Sequence, residues 1–359
     1  MSMTFDILHS PGNPRNSEGS FVQLKDGRLM LAYTRYRGER GGDHSCADLA
    51  ARFSSDKGRT WTEPTILVEN DAMNVMSASL LRLQDGRIAL AYIRKTAIRG
   101  LEDDPRFCDC RPMIRFSSDE AETWSAPVDI CRFPSATYLV LNNDRLVQLS
   151  SGRLIVPVAH HHITSGGHMA PRAEGFFFLS DDGGATWHES SQCCYGPQWL
   201  TSGLREPGVV ELLDGSVMAW WRTCSQCQYK AFSHDGGETW STPAPAPEFT
   251  CPESPLSIKR DPETKALYAV WNDWNPLRAI RFTKETWGRT PLVIAKSLDD
   301  GKTWQNHTLL ESEPDHGYCY IAMLFLGNRE LLLEYCCGGG GPGLFPLYDS
   351  RVRVFPLEG

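Results

Sequence analysis

Two patterns alternate along this chain. The first is an apolar or alternating run, broken by a tight polar turn and then resumed. It occurs as "FVQLKDGRLMLAY" (21–33), "LLRLQDGRIALAY" (80–92), "RLVQLSSGRLIVPV" (145–158) and "VVELLDGSVMAWW" (209–221). A glycine in such a turn supplies the positive φ that tight hairpins require, so each run reads as two antiparallel strands. "LSIKRDPETKALYAVW" (256–271) and "IAMLFLGNRELLLEY" (321–335) are degenerate copies, which makes six hairpins. The second pattern is a polar turn ending on tryptophan: "SSDKGRTW", "SSDEAETW", "SDDGGATW", "SHDGGETW" and "SLDDGKTW". These begin at residues 54, 117, 180, 233 and 297, spaced 63, 63, 53 and 64 apart. That period is too long for a helical solenoid and fits a four-stranded sheet plus loops. No stretch carries a long helical period. The expected fold is all-β, one six-bladed β-propeller domain spanning 1–359. "DSRVRVFPLE" (349–358) alternates and is expected to complete a blade shared with the N-terminus, because a propeller joins its ends to remove edge strands.

The recurring S-x-D-x-G-x-T-W turn has a structural explanation. Its Asp can accept hydrogen bonds from backbone N–H groups of its own turn, its Gly permits the bend, and its Trp packs between neighbouring sheets. Asp56, Asp119, Asp182, Asp235 and Asp299 are therefore poor catalytic candidates.

Composition narrows the ligand. Hydrophobic residues are 41% and charged residues 22% of 359, ordinary for a globular protein. A net charge of −8 argues against nucleic-acid or anionic-membrane partners. An anionic ligand must therefore meet a local cluster of arginines. No run of 18 apolar residues predicts a membrane span, and the first residues lack the features of a signal peptide, so a cytoplasmic location is expected. The 12 cysteines read as buried, reduced thiols. Cys224 and Cys227 form a C-x-x-C with no second pair at matching spacing, so no metal is expected.

Five such boxes at this spacing resemble the Asp-box (BNR) repeats of the sialidase, or neuraminidase, superfamily. The resemblance covers most of the chain. It implies a site at the centre of one propeller face, where three arginines hold a substrate carboxylate. An Asp acts as general acid/base there, and a Tyr attacks the anomeric carbon with help from a Glu. Residue by residue, the match puts Arg15 of "GNPRNSEGSF" first, although Asn16 and Ser17 follow it where the family has Ile-Pro. Asp43 of "GGDHS" takes the acid/base place, with Asp48 second. In "LREPGVVELLDGSVMAWWRT", Glu206 and Arg222 match the Tyr-assisting Glu and the second arginine, and Arg205 adds a substrate contact or a salt bridge. Arg289 of "WGRTP" is the third arginine. In "DHGYCYIAML", Tyr318 is preferred as nucleophile because it follows Gly, with Tyr320 as rival; two apart, they share a face of a regular strand.

Those residues make chemical sense together. An arginine fork matches a carboxylate in a bidentate way. A neutral Tyr avoids the repulsion that an anionic anomeric centre exerts on a carboxylate nucleophile. The expected function is a sialidase-like exo-glycosidase, a glycoside hydrolase releasing a terminal acidic sugar, with an acidic carbohydrate as partner and no cofactor. Arg111 of "CDCRP" and His160 of the "HHH" run (160–162) are further substrate-binding candidates outside the match. They would carry more weight in the alternative reading, a lyase acting on a uronate. A carbohydrate-binding propeller without turnover is a third reading, disfavoured because a lectin needs no nucleophile.

Overall fold

In the computed structural model, residues 4–98, 100–101, 104, 107–164, 166, 168–274, 283 and 285–357 are described. Among them the regular structure is all strand, in five antiparallel or mixed sheets. The first sheet runs Asn16–Gln23, Leu29–Tyr36, Ala47–Ser54, Thr65–Val68 in chain order. A nine-stranded sheet follows. It comprises one antiparallel run over Asn74–Arg82, Ile88–Ala97, Cys108–Ser117 and Val128–Asp129. A second run holds Tyr138–Val140, Val147–Gln148, Leu154–Ile163, Met169–Ser180 and His188–Glu189. A parallel pairing at Tyr138 and Cys110 joins the two. Two further meanders are Arg205–Glu211, Val217–Arg222, Cys227–Ser233, Ala244–Thr250 and Ser257–Arg260, Leu267–Asn272, Leu292–Ser297, Gln305–Glu311. In the last sheet, Cys319–Gly327, Glu330–Cys336 and Ser350–Pro356 are followed by the N-terminal strand Thr4–Ile7, which pairs antiparallel with Ser350–Pro356. The expected sharing of a sheet between the two ends is present, with the N-terminal strand outermost.

Each sheet buries its faces against its neighbours. Val22, Met30 and Leu49 of the first sheet pack on Leu80, Leu90 and Tyr92 of the next. Phe21, Leu31 and Tyr33 pack on Ala322, Leu332 and Val352 of the last sheet, so the last sheet lies directly against the first. Asp144 ties the inner strands together: it accepts from Ser20 Oγ at 2.8 Å, Lys259 Nζ at 2.7 Å and the Met323 amide at 2.9 Å.

The five tryptophan-ended turns share one pattern of bonds to the Asp carboxylate. Asp56 Oδ1 accepts from Ser54 Oγ at 2.8 Å and from the Arg59 and Thr60 amides at 3.0 and 2.9 Å. The Trp61 indole donates to the Gly58 carbonyl at 3.1 Å. Asp119, Asp182, Asp235 and Asp299 accept the corresponding Thr amide at 2.8–2.9 Å. Hydrogen bonds from the Thr123 hydroxyl and amide hold the Asp119 carboxyl at about 2. None of these aspartates lines the central cavity. The second box has Ala121 where the others have Gly, and Ala121 adopts the same left-handed conformation at φ 69°.

Candidate active site

The inner strand of four units breaks register at the same place. The shifts fall between Ser17 and Ser20, Met76 and Ser79, Arg205 and Gly208, and Cys319 and Ala322. Inside each shift sits one non-glycine residue at positive φ: Glu18 (58°), Ser77 (63°), Glu206 (49°) and Tyr320 (57°). A bulge of this kind re-aims a side chain, and such backbone costs about 1–3 kcal/mol per residue. All four re-aimed side chains line one cavity of about 710 Å³.

Glu206 is the hub of that cavity. Its Oε1 accepts from Tyr320 Oη at 3.0 Å and from Arg222 Nη1 at 2.5 Å. Glu206 and Arg222 face each other because Arg205 pairs with Arg222 across the hairpin, one residue from the bulge. Arg289 lies over the Tyr320 ring at 5.5 Å and the Trp287 ring at 4.9 Å, and its Nη1 donates to Cys319 Sγ at 3.0 Å. Burial pushes the Cys319 thiol up, but its hydrogen bond with the free thiol of Cys336 and the Arg289 charge bring it to about 7. Burial, then Glu206, raise the Tyr320 hydroxyl well above its usual range, so it is neutral at rest. Glu206 Oε2, Arg222 Nε and Arg289 Nε are buried without a hydrogen-bond partner, so this corner has both donors and an acceptor to offer an incoming group.

A second charged group forms the facing wall. Arg15 is buried with its guanidinium 4.5 Å over the Tyr36 ring. Its Nη1 pairs with Asp43 Oδ1 at 2.6 Å and its Nη2 with Glu18 Oε2 at 3.3 Å. Burial raises the Glu18 carboxyl to about 7, against the opposing pull of Arg15. The surrounding walls oppose ionisation of Asp43 only weakly, its side chain being 58% exposed, and Arg15 and Lys95 hold it well below the ordinary carboxylate range. The pair thus has one ionised and one proton-bearing member near neutral pH. Lys95 Nζ donates to the Asp43 carbonyl at 2.7 Å. Apolar lining comes from Met76, Ile93, Tyr138, Trp274 and Trp287.

Comparisons with known proteins bear on the family and the fold. A profile of the BNR repeat-like domain matches residues 98–329. The chain belongs to the BNR repeat-like family of the sialidase superfamily. A sialidase of Bacteroides fragilis (strain YCH46) is 27% identical over 229 residues, which are 61% of this chain and 38% of that protein. A sialidase of Paraclostridium sordellii is 29% identical over 239 residues, 62% and 56% of the two chains. The chain spans about half the length of these relatives or less. Among solved structures, an intramolecular trans-sialidase from Ruminococcus gnavus aligns with a TM-score of 0.72 at 17% identity, covering 98% of this chain and 96% of that one. A protein of unknown function from Dyadobacter fermentans aligns with a TM-score of 0.75 at 20% identity, covering 98% of both. At these identities the structural likeness establishes the fold, a sialidase-like β-propeller.

Against the family's site plan, the structure brings together Glu206, Arg222, Arg289 and Tyr320, with Asp43 and Arg205 on the same cavity. Tyr318 is a correction. It is fully buried in the core beside Tyr335, its hydroxyl has no partner, and it does not line the cavity. The bulge turns Tyr320 inward and leaves Tyr318 facing the neighbouring sheet. Arg15 is a second correction: it sits behind the wall, capped by Asp43 and Glu18, rather than opening onto the cavity. Arg205 Nη1 pairs with Glu253 Oε1 at 2.7 Å at the cavity edge. Arg111 lies outside, bound to Asp109, Asp129 and the carbonyls of Cys131, Phe133 and Ser135. His160 also points away; strand alternation gives the cavity to His161, whose burial lowers its imidazole to about 4. Sequence reasoning missed Glu18, Lys95, His161 and Glu253. For His161 the signal was the histidine run itself, and for Glu18 it was hidden in the bulge.

Proposed function

We propose that this chain is a retaining, sialidase-like exo-glycosidase that releases a terminal acidic sugar, with Tyr320 as nucleophile. The observation that carries this reading is the Tyr320–Glu206–Arg222 relay, a hydroxyl and a guanidinium donating to one carboxylate oxygen at 3.0 and 2.5 Å. Glu206 would accept the phenol proton as Tyr320 attacks the anomeric carbon, a nucleophile–base pairing within hydrogen-bond reach. Arg222 and Arg289 would bind the sugar carboxylate through the donors they hold unpartnered, which compensates their buried charge. A carboxylate nucleophile beside that anion would be repelled; a neutral phenol is not.

The leaving oxygen needs a proton, and the Asp43–Glu18 pair on Arg15 is its source. Two carboxyls whose environments push them apart divide the roles of proton holder and ion. Glu18, in place of the Asp43 that the sequence match puts in the acid/base role, holds the proton near neutral pH, and the ionised Asp43 keeps Arg15 in place. Water then cleaves the glycosyl–tyrosine bond, with the same pair taking its proton. The support for six blades is the set of six sheet units, five of four strands and one whose inner strand is in two pieces, Tyr138–Val140 and Val147–Gln148; two units share the nine-stranded sheet, and the last packs on the first. The uronate-lyase reading loses Arg111, which spends its donors on structural carbonyls away from the cavity.

A fluorinated acidic sugar bearing a good leaving group tests the proposal. Peptide mass spectrometry should find the adduct on Tyr320. Turnover by a Tyr320→Phe variant at the wild-type rate, or an unsaturated product with new ultraviolet absorbance, would exclude it.

A further inference from the structure

His160 and His162 take no part in the chemistry above. They lie two apart on Leu154–Ile163, and although the register shifts between His161 and Ile163, their rings still meet on one side of that strand. His160 pairs in register with Glu174 of Met169–Ser180, which puts the Glu174 side chain on the same face. Their donor atoms all fall within 4.8 Å of one another. His162 Nε2 is 3.2 Å from Glu174 Oε1, and the two imidazole rings are 4.5 Å apart.

We propose that His160, His162 and Glu174 form a binding site for a divalent transition-metal ion, zinc by donor preference. Two imidazoles and one carboxylate are a donor set that zinc takes in tetrahedral sites, at about 2.0–2.2 Å per bond. Such bonds set donors about 3.4 Å apart, so small side-chain rotations close the observed spacing around an ion. His160 is oriented from behind: Thr137 Oγ1 lies 3.2 Å from its Nε2, and Phe133 and Phe176 flank its ring. A second partner that fixes the ring is the usual companion of a metal-bound histidine, and it leaves Nδ1 as the ligating atom. His162 is exposed, so an ion can enter from solvent and keep water in its fourth position. One other such group occurs among the described residues, Glu313, Asp315 and His316. It lies on a single short segment with both carboxylates exposed.

The proposed ion would clamp the two strands from outside. On their opposite side, His161 and Met169 line the cavity, so the ion would stiffen one wall of the candidate active site.

The test is calorimetric titration of the metal-stripped full chain with zinc chloride at pH 7.5. One equivalent should bind, and the midpoint of thermal unfolding should rise with the logarithm of zinc concentration. His162→Ala and Glu174→Gln should each weaken binding by about tenfold or more, while His316→Ala should leave it unchanged. Both residues of the first pair are partly solvent-facing, and circular dichroism checks that the variants fold. Cobalt(II) in place of zinc reads the donor type, and its spectrum should lack a thiolate charge-transfer band. That band would assign the ion to cysteines and overturn the proposal. So would an absence of binding at about 1 mM zinc, or binding lost in His316→Ala but kept in His162→Ala.

Discussion

Glu18→Gln isolates the proton held beside Arg15. The substitution keeps shape and an oxygen that can accept from Arg15 Nη2, and removes only the titration. In the native chain the Glu18 carboxyl is raised from 4.5 to about 7. Between those two values the folded chain binds a proton that the unfolded chain has lost. Stability from this group is therefore fully present below about pH 4.5 and is lost as pH rises through about 7. At 1.36 kcal/mol per pK unit the loss is about 3 kcal/mol. Urea unfolding of wild type and Glu18→Gln, at pH 5 and again at pH 8, measures it. Glu334, also raised to about 8, chiefly by burial and least by Glu18, titrates in both proteins, so most of its contribution cancels in the comparison. On moving from pH 5 to pH 8, the variant should gain about 2.5 kcal/mol relative to wild type. A stability difference that stays constant across that range would refute the placement of the proton on Glu18. The same variant reads the catalytic role. Glycosides with poor leaving groups should slow by roughly 10²–10⁴-fold, whereas activated aryl glycosides, which need no proton donor, should slow far less. Equal slowing of both would leave Glu18 a structural proton holder and no acid.

Tyr320→Phe should lower turnover by roughly 10³-fold or more with substrate binding kept. Tyr318→Phe should change little, since its buried hydroxyl has no partner to lose; assays of both variants on one substrate decide between the two tyrosines. Arg289→Ala should weaken binding of an acidic sugar by about 2–5 kcal/mol without a matching loss for a neutral analogue, as titration calorimetry would read. Ala121→Gly should stabilise the chain by about 1 kcal/mol in urea unfolding, because Ala121 holds a left-handed conformation that glycine adopts freely.

Repetition made the fold legible. The Asp-Gly hairpins and tryptophan-ended turns are local: each needs only its own residues to bond and bend, so their chemistry shows in the sequence and their spacing gives the sheet unit. Glu206 and Arg222 were legible for the same reason, since one hairpin carries both. The tyrosine was not. On a regular strand Tyr318 and Tyr320 point the same way, and only the bulge at φ 57° sends Tyr320 to Glu206, 114 positions away, while Tyr318 stays in the core. A bulge is set by how the inner strand meets its partners, so no local pattern announces it. Arg15 shows the same limit. Its sequence place fits a substrate ligand, but Asp43 and Glu18 converge on it from 28 and 3 residues away and occupy its guanidinium. Residue type and spacing determined which side chains were available; the inward turn of four bulged strands decided which of them share a cavity.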